Sequence, residues 1–145
     1  MHHKEFLDKI DDGKVVAAIA EAEQRTSGEI RIWVSHRKIS DALGTAQKRF
    51  IKLGMDKTPE RNAVMLYIAP RSQVFAVIGD SGVHEKCGDA FWTDVTSQLS
   101  VDLKKESITA ALVNAVRKIG DLLAAHFPPA SGGGGNHLPN DILRD

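Results

Sequence analysis

The strongest constraint on this chain is a pair of unbroken apolar runs, Ala63–Ala69 and Val74–Ile78, separated only by Pro70-Arg71-Ser72-Gln73. Each run has the length of a strand, and the short polar turn between them predicts a β-hairpin. Neither run alternates with polar residues, so both strands are expected to be covered on both faces. Helices must then lie on both sides of the sheet. Glu29–Val34 supplies a further strand, with Ile30, Ile32 and Val34 on one face. Around these strands the periodicity predicts four helices. The first runs over 13–25 behind Asp11 or Asp12, and the second follows Ser40 and carries Leu43, Ala46, Gln47 and Phe50 up to Gly54. The third covers about 86–104, with Phe91, Val95, Leu99 and Leu103 at four-residue spacing. The last begins behind Ser107 and bears the stripe Ile108, Ala111, Leu112, Ala115, Val116, Ile119, Leu122 and Leu123. A shorter turn carrying Phe6, Leu7 and Ile10 precedes the first helix. The fold class is α/β: a small α/β/α sandwich whose mixed sheet has at least three strands, with helices on both faces. Residues 1–127 form one domain, closed by Pro128-Pro129. Residues 128–145 read as a glycine-rich linker (Gly132–Gly135) and a tail whose Leu138 and Ile142 are apolar enough to dock. A fourth edge strand cannot be placed from these patterns.

Topology converts these elements into a site. The first strand, second helix and second strand make a β-α-β crossover, so the two strands are expected to be parallel, and the hairpin reverses the third. The start of the first strand, the start of the second and the end of the third then share one edge. Glu29, the segment 56–62 and the loop from Gly79 onward meet there. That loop, Gly79-Asp80-Ser81-Gly82-Val83-His84-Glu85-Lys86-Cys87-Gly88-Asp89, is unusual: from Asp80 to Asp94 there are four acids and one base. Hard cations such as Ca²⁺ and Mg²⁺ are held by carboxylates, carbonyls and water. Asp80, Glu85 and Asp89 are the candidate metal ligands, with Glu29 or Asp56 completing the set and Arg61 as a candidate anion-binding residue. A plainer reading stands beside it, in which Asp80 makes a turn and Glu85 and Asp89 favour a helix N-terminus.

Other chemistries find less support. Lys plus Arg and Asp plus Glu number 19 each, for a net charge of zero. That balance argues against broad nucleic-acid contact and against a polybasic membrane anchor. Cys87 is the one cysteine, which excludes an intramolecular disulfide and a multi-cysteine zinc site. With His84 three residues before it, a reactive thiolate at a helix N-terminus is conceivable, though a small buried cysteine is the commoner fate. No apolar run is long enough to span a membrane, and the charged opening residues do not resemble a signal peptide. The expected location is cytoplasmic. The glycines at 132–135 do not join a strand to a helix and so do not cradle a phosphate. No Gly-x-Ser-x-Gly elbow occurs.

Three separated strings carry a family resemblance. Arg25-Thr26-Ser27-Gly28-Glu29-Ile30-Arg31-Ile32-Trp33-Val34 resembles the first helix–strand junction of the TPM domain family. Arg61-Asn62-Ala63-Val64-Met65-Leu66-Tyr67-Ile68-Ala69 resembles its second strand, and Ile78-Gly79-Asp80-Ser81-Gly82-Val83-His84-Glu85-Lys86 its glycine-rich loop. The ending Asn136-His137-Leu138-Pro139-Asn140-Asp141-Ile142 is similar to those of bacterial members. The family includes thylakoid-lumen proteins linked to photosystem II repair, a receptor-associated membrane protein in nematodes and many bacterial proteins of unknown role. The resemblance implies an α/β sandwich, divalent-cation binding at the loop edge and, for plant members, weak acid-phosphatase activity. The expected function is a non-enzymatic module that binds Ca²⁺ or Mg²⁺; the alternative is a metal-assisted phosphomonoesterase. The expected partners are a metal ion and a protein whose identity the sequence does not reveal.

Overall fold

The computed structural model describes residues 10–129 and 141–145. In chain order the elements are α1 (Asp12–Gln24), β1 (Glu29–Val34), α2 (Ala42–Lys52), a 3₁₀ turn (Met55–Lys57), β2 (Ala63–Ala69), a second 3₁₀ turn (Pro70–Ser72), β3 (Val74–Gly79), α3 (Ser81–Lys105), α4 (Ile108–His126) and β4 (Leu143–Arg144). The sheet order is β3-β2-β1-β4. β1 runs parallel to β2, from Glu29 opposite Ala63 to Val34 opposite Ile68. β3 returns antiparallel, with Met65 opposite Ile78. The crossover and the hairpin are therefore as the sequence predicts.

The sheet separates two cores of unequal size. Ile30, Ile32, Val34, Val64, Leu66 and Ile68 face α1, α3 and α4, where they meet Val15, Ile19, Phe91, Leu99, Leu112, Ile119 and Phe127. On the other face Trp33, Met65, Tyr67 and Ala76 pack against Ala46 and Phe50 of α2 and against Met55. Because side chains alternate along a strand, the continuous runs of β1 and β2 feed both cores, and every residue of either strand is buried. β3 is also covered on both faces, Phe75 and Val77 packing on the larger core and Val74 and Ile78 on the smaller, but less completely. At the sheet edge it has one neighbour, and of its six residues only Ala76 is fully buried.

Three further details differ from the sequence reading. Asp41, not Ser40, caps α2 by accepting from the Gly44 N–H. The segment after Gly79 is not an open loop, because Asp80 caps a helix that begins at Ser81 and runs through a kink at Gly88. A fourth strand exists: Leu143 and Arg144 pair parallel with Trp33 and Val34, and Ile142 is buried in the larger core. Two residues are too few for a strand signal in sequence, and their pairing rests on long-range contacts. The expected turn at Phe6 and Leu7, the linker glycines and Leu138 lie outside the described residues. No helix among the described residues is long and apolar enough to cross a membrane.

Candidate functional site

The edge predicted from topology exists, and its chemistry is organised around Arg61 and Asp80. The chain turns sharply at Arg61, whose φ of 53° lies in the left-handed region, a conformation that costs a non-glycine residue about 1–3 kcal/mol. The turn brings its guanidinium back along the sheet end, where Nε meets Asp80 Oδ2 at 2.6 Å and Nη2 meets Oδ1 at 2.8 Å. Asp80 Oδ1 also accepts from the Ser81 N–H at 2.8 Å, so one carboxylate joins the end of β3, the start of α3 and the approach to β2. Asp80 is 7% exposed, whereas half of the Arg61 side chain faces solvent. The Asp80 carboxylate, with a smaller contribution from Asp56, holds the guanidinium above its ordinary basicity.

Beside this pair lies a second set of oxygens. Asn62 Nδ2 donates to Ser27 Oγ at 3.1 Å and to Glu60 Oε2 at 3.3 Å, and Ser27 Oγ donates to the same Glu60 oxygen. The Thr58 hydroxyl accepts from the Asn62 N–H at 3.2 Å. Asp56, in the 3₁₀ turn, keeps Oδ1 buried without a hydrogen-bond partner. Close approach across the site requires Gly82: a Cβ there would lie 2.3 Å from the Glu60 carbonyl oxygen and 2.7 Å from that of Arg61.

The structure therefore brings Asp80, Arg61 and Asp56 to one edge and leaves the other predicted ligands elsewhere. Glu85 and Asp89 are exposed on α3, and they share no hydrogen bond with Asp80 among the described residues. Glu29 is fully buried and interacts with Glu23 of α1. Among the described residues no three His, Cys, Asp or Glu side chains are placed to hold a metal ion between them. Cys87 is half-buried, and burial pushes its thiol up, opposite to the shift a reactive thiolate needs. The His84 Nδ1 accepts from Trp92 Nε1 at 3.1 Å across the Gly88 kink.

Sequence reasoning brought segment 56–62 to the edge without singling out Glu60 or Asn62, and it missed Ser27 there and Glu23 in the interior. Polar residues in a loop carry no periodic signal, so nothing marked the roles of the first three. Position did mark Glu23: it falls four residues beyond Ile19 and eight beyond Val15, on the buried face of the helix. There its Oε2 accepts from the Ile30 N–H at 2.8 Å. Burial, reinforced by the neighbouring Glu29 carboxyl, pushes its pKa up to about 8.

The sequence model of the TPM domain matches residues 1–122. The chain belongs to the TPM domain family. The solved NMR structure of the BA42 protein from the psychrophilic bacterium Bizionia argentinensis is similar to this TPM domain, at 31% identity over 92% of each chain and a TM-score of 0.85. Nothing among the curated proteins matches it. In this TPM domain the strings that carried the resemblance occupy the β1 entry, β2 and the β3–α3 junction, which are the three segments that build the edge.

Proposed function

We propose that this TPM domain is a binding module without catalytic chemistry of its own, and that it takes a divalent cation, Ca²⁺ or Mg²⁺, at the Asp56–Arg61–Asp80 edge. The observation that supports the reading is the donor set. The Asp80 and Glu60 carboxylates, the Ser27 and Thr58 hydroxyls and the Asn62 amide belong to segments that meet at one sheet end, and Asp56 is near enough to act on Arg61 there. These are hard oxygens, the type such cations select, and the buried Asp56 Oδ1 has no hydrogen-bond partner. Asp80 and Asp56 are the carboxylate ligands proposed here; the Glu60 carboxylate is engaged by Ser27 and Asn62 beside them. Glu29, Glu85 and Asp89 are set aside. Arg61 acts as an internal cation on Asp80, and its exposed side chain can swing outward to release that carboxylate.

The test is a Ca²⁺ and Mg²⁺ titration of the full chain followed by ¹⁵N NMR. Resonances of Asp56, Asn62 and Asp80 are expected to shift at millimolar metal. Asp80→Asn should weaken binding at least about tenfold, and Arg61→Ala should tighten it by removing a competing positive charge. An unresponsive spectrum, or shifts that Asp80→Asn leaves unchanged, overturns the reading. The phosphomonoesterase alternative uses the same edge, with Arg61 steadying a phosphate. It requires Arg61 to exchange an internal bidentate carboxylate for the substrate. Aryl-phosphate turnover that a chelator and Asp80→Asn both abolish would favour it.

A further inference from the structure

Segment 141–145 is bound to the rest of the chain much as a peptide ligand is bound to a receptor. Its backbone contributes little, since only Leu143 and Arg144 pair with β1, and a strand this short has no stability alone. Its side chains supply the recognition. Ile142 enters the larger core and Leu143 packs on the smaller one. Arg144 makes a bidentate ion pair with Asp12, both contacts at 2.8 Å. Asp145 accepts from Trp33 Nε1 at 2.7 Å and from Ser35 Oγ at 3.0 Å, and Arg37 Nε lies 3.3 Å away. Asp141 stands 3.7 Å from Arg31. Nearer its start, β1 offers no strand-pairing site at Ile30, whose N–H is already taken by Glu23. The recognition site is therefore confined to the end of β1, and it reads acid, apolar, apolar, arginine, acid in that order.

We infer that this edge is an exchangeable docking site through which two copies of the chain join, each lending its segment 141–145 to the other's β1. Eleven residues, 130–140, tether the segment to the body, a link that reaches at most about 40 Å when extended. That length allows the segment to meet its own β1 or a neighbour's. Reciprocal exchange keeps every contact and adds only the entropy of association, the usual basis of a swapped dimer. A link of this length gives an effective concentration on the order of millimolar, so the wild-type chain docks on itself when dilute and exchanges as its concentration approaches that range.

Charge reversal separates docking within a copy from docking between copies. Asp12→Arg and Arg144→Asp each place like charges together, both within a copy and between identical copies. Mixed in equal amounts, the two full-length variants restore opposite charges at both sites, but only across copies. The mixture at about 0.5 mM of each, near the effective concentration of the tether, is expected to sediment as a dimer while each variant alone stays monomeric. The Trp33 indole resonance, displaced in each variant, should return to its wild-type position in the mixture. It should return also in the monomeric double variant Asp12→Arg/Arg144→Asp. A mixture that stays monomeric overturns the inference, as does a double variant that fails to recover the resonance.

Discussion

Glu23 shows how far one residue can set the behaviour of a small domain. It is 8% exposed, its Oε2 is committed to the Ile30 N–H, and Oε1 is buried without a partner. Burial disfavours the charged form and the neighbouring Glu29 carboxyl adds to that, so the proton is retained up to about pH 8, against an ordinary value of 4.5. The sign of the linkage follows. A carboxyl with a raised folded-state pKa holds its proton more tightly when native. Its stabilising contribution is complete below about 4.5 and is lost as pH rises to about 8. With each pKa unit worth about 1.4 kcal/mol, the loss is on the order of a few kcal/mol. Glu23→Gln keeps an acceptor for Ile30 and turns a neutral N–H₂ toward Glu29, imitating the protonated acid. Urea unfolding should find the variant within about 1 kcal/mol of wild type at pH 5 and more stable at pH 8.5, where a charge is otherwise buried. Parallel pH profiles for the two proteins would assign the proton elsewhere.

At the scale of elements, the junction between β3 and α3 turns on two glycines with different duties. Gly82 is required by proximity, with the Glu60 carbonyl oxygen 2.3 Å from where a Cβ would stand. Gly88 has open space around it and is required by conformation, since φ 70° and ψ −173° interrupt α3 in a region that only glycine occupies readily. Gly82→Ala and Gly88→Ala should each cost about 1–3 kcal/mol, through overpacking and strain respectively. They should differ in reach. Gly82→Ala displaces the helix start from the Glu60–Arg61 turn and should move the Arg61 and Asp80 resonances, whereas Gly88→Ala should leave them in place. Equal perturbation of that pair by both substitutions would mean that the kink, too, positions the edge. These glycines also mark the limit of what was legible in the sequence. Three glycines, Gly79, Gly82 and Gly88, fall within ten residues there, and a bend exists at Gly88. Spacing alone could not tell a flexible acidic loop from a helix capped by Asp80, because an aspartate before a serine serves either. Asp80 was thus placed at the correct edge, while Glu85 and Asp89 were given to a site from which the helix carries them away.

Over the whole molecule, the apolar runs of β1 and β2 predicted a sheet covered on both sides, and they did so because burial on two faces leaves no room for alternation. They carried no information on how the helices divide between the faces. Three lie on one side and α2 lies alone on the other, an asymmetry with consequences for dynamics. α4 buries seven residues along one stripe, which its sequence pattern displayed plainly. α2 buries only Ala46 and Phe50, and its Leu43 and Ile51 are 54% and 59% exposed. Opening α2 therefore uncovers little apolar surface, whereas opening α4 dissolves the larger core, and local stability follows the apolar contact that opening removes. Native-state hydrogen exchange should find the α2 amides opening at least about 2 kcal/mol more easily than those of α4, which should exchange only with global unfolding. Phe50→Ala sharpens the comparison. It removes the one large anchor of α2, so it should bring α2 opening close to zero cost and lower the protection of α4 far less. If α2 and α4 instead lose protection together in that variant, the two cores form one cooperative unit joined through the sheet, and the smaller face contributes to global stability in full.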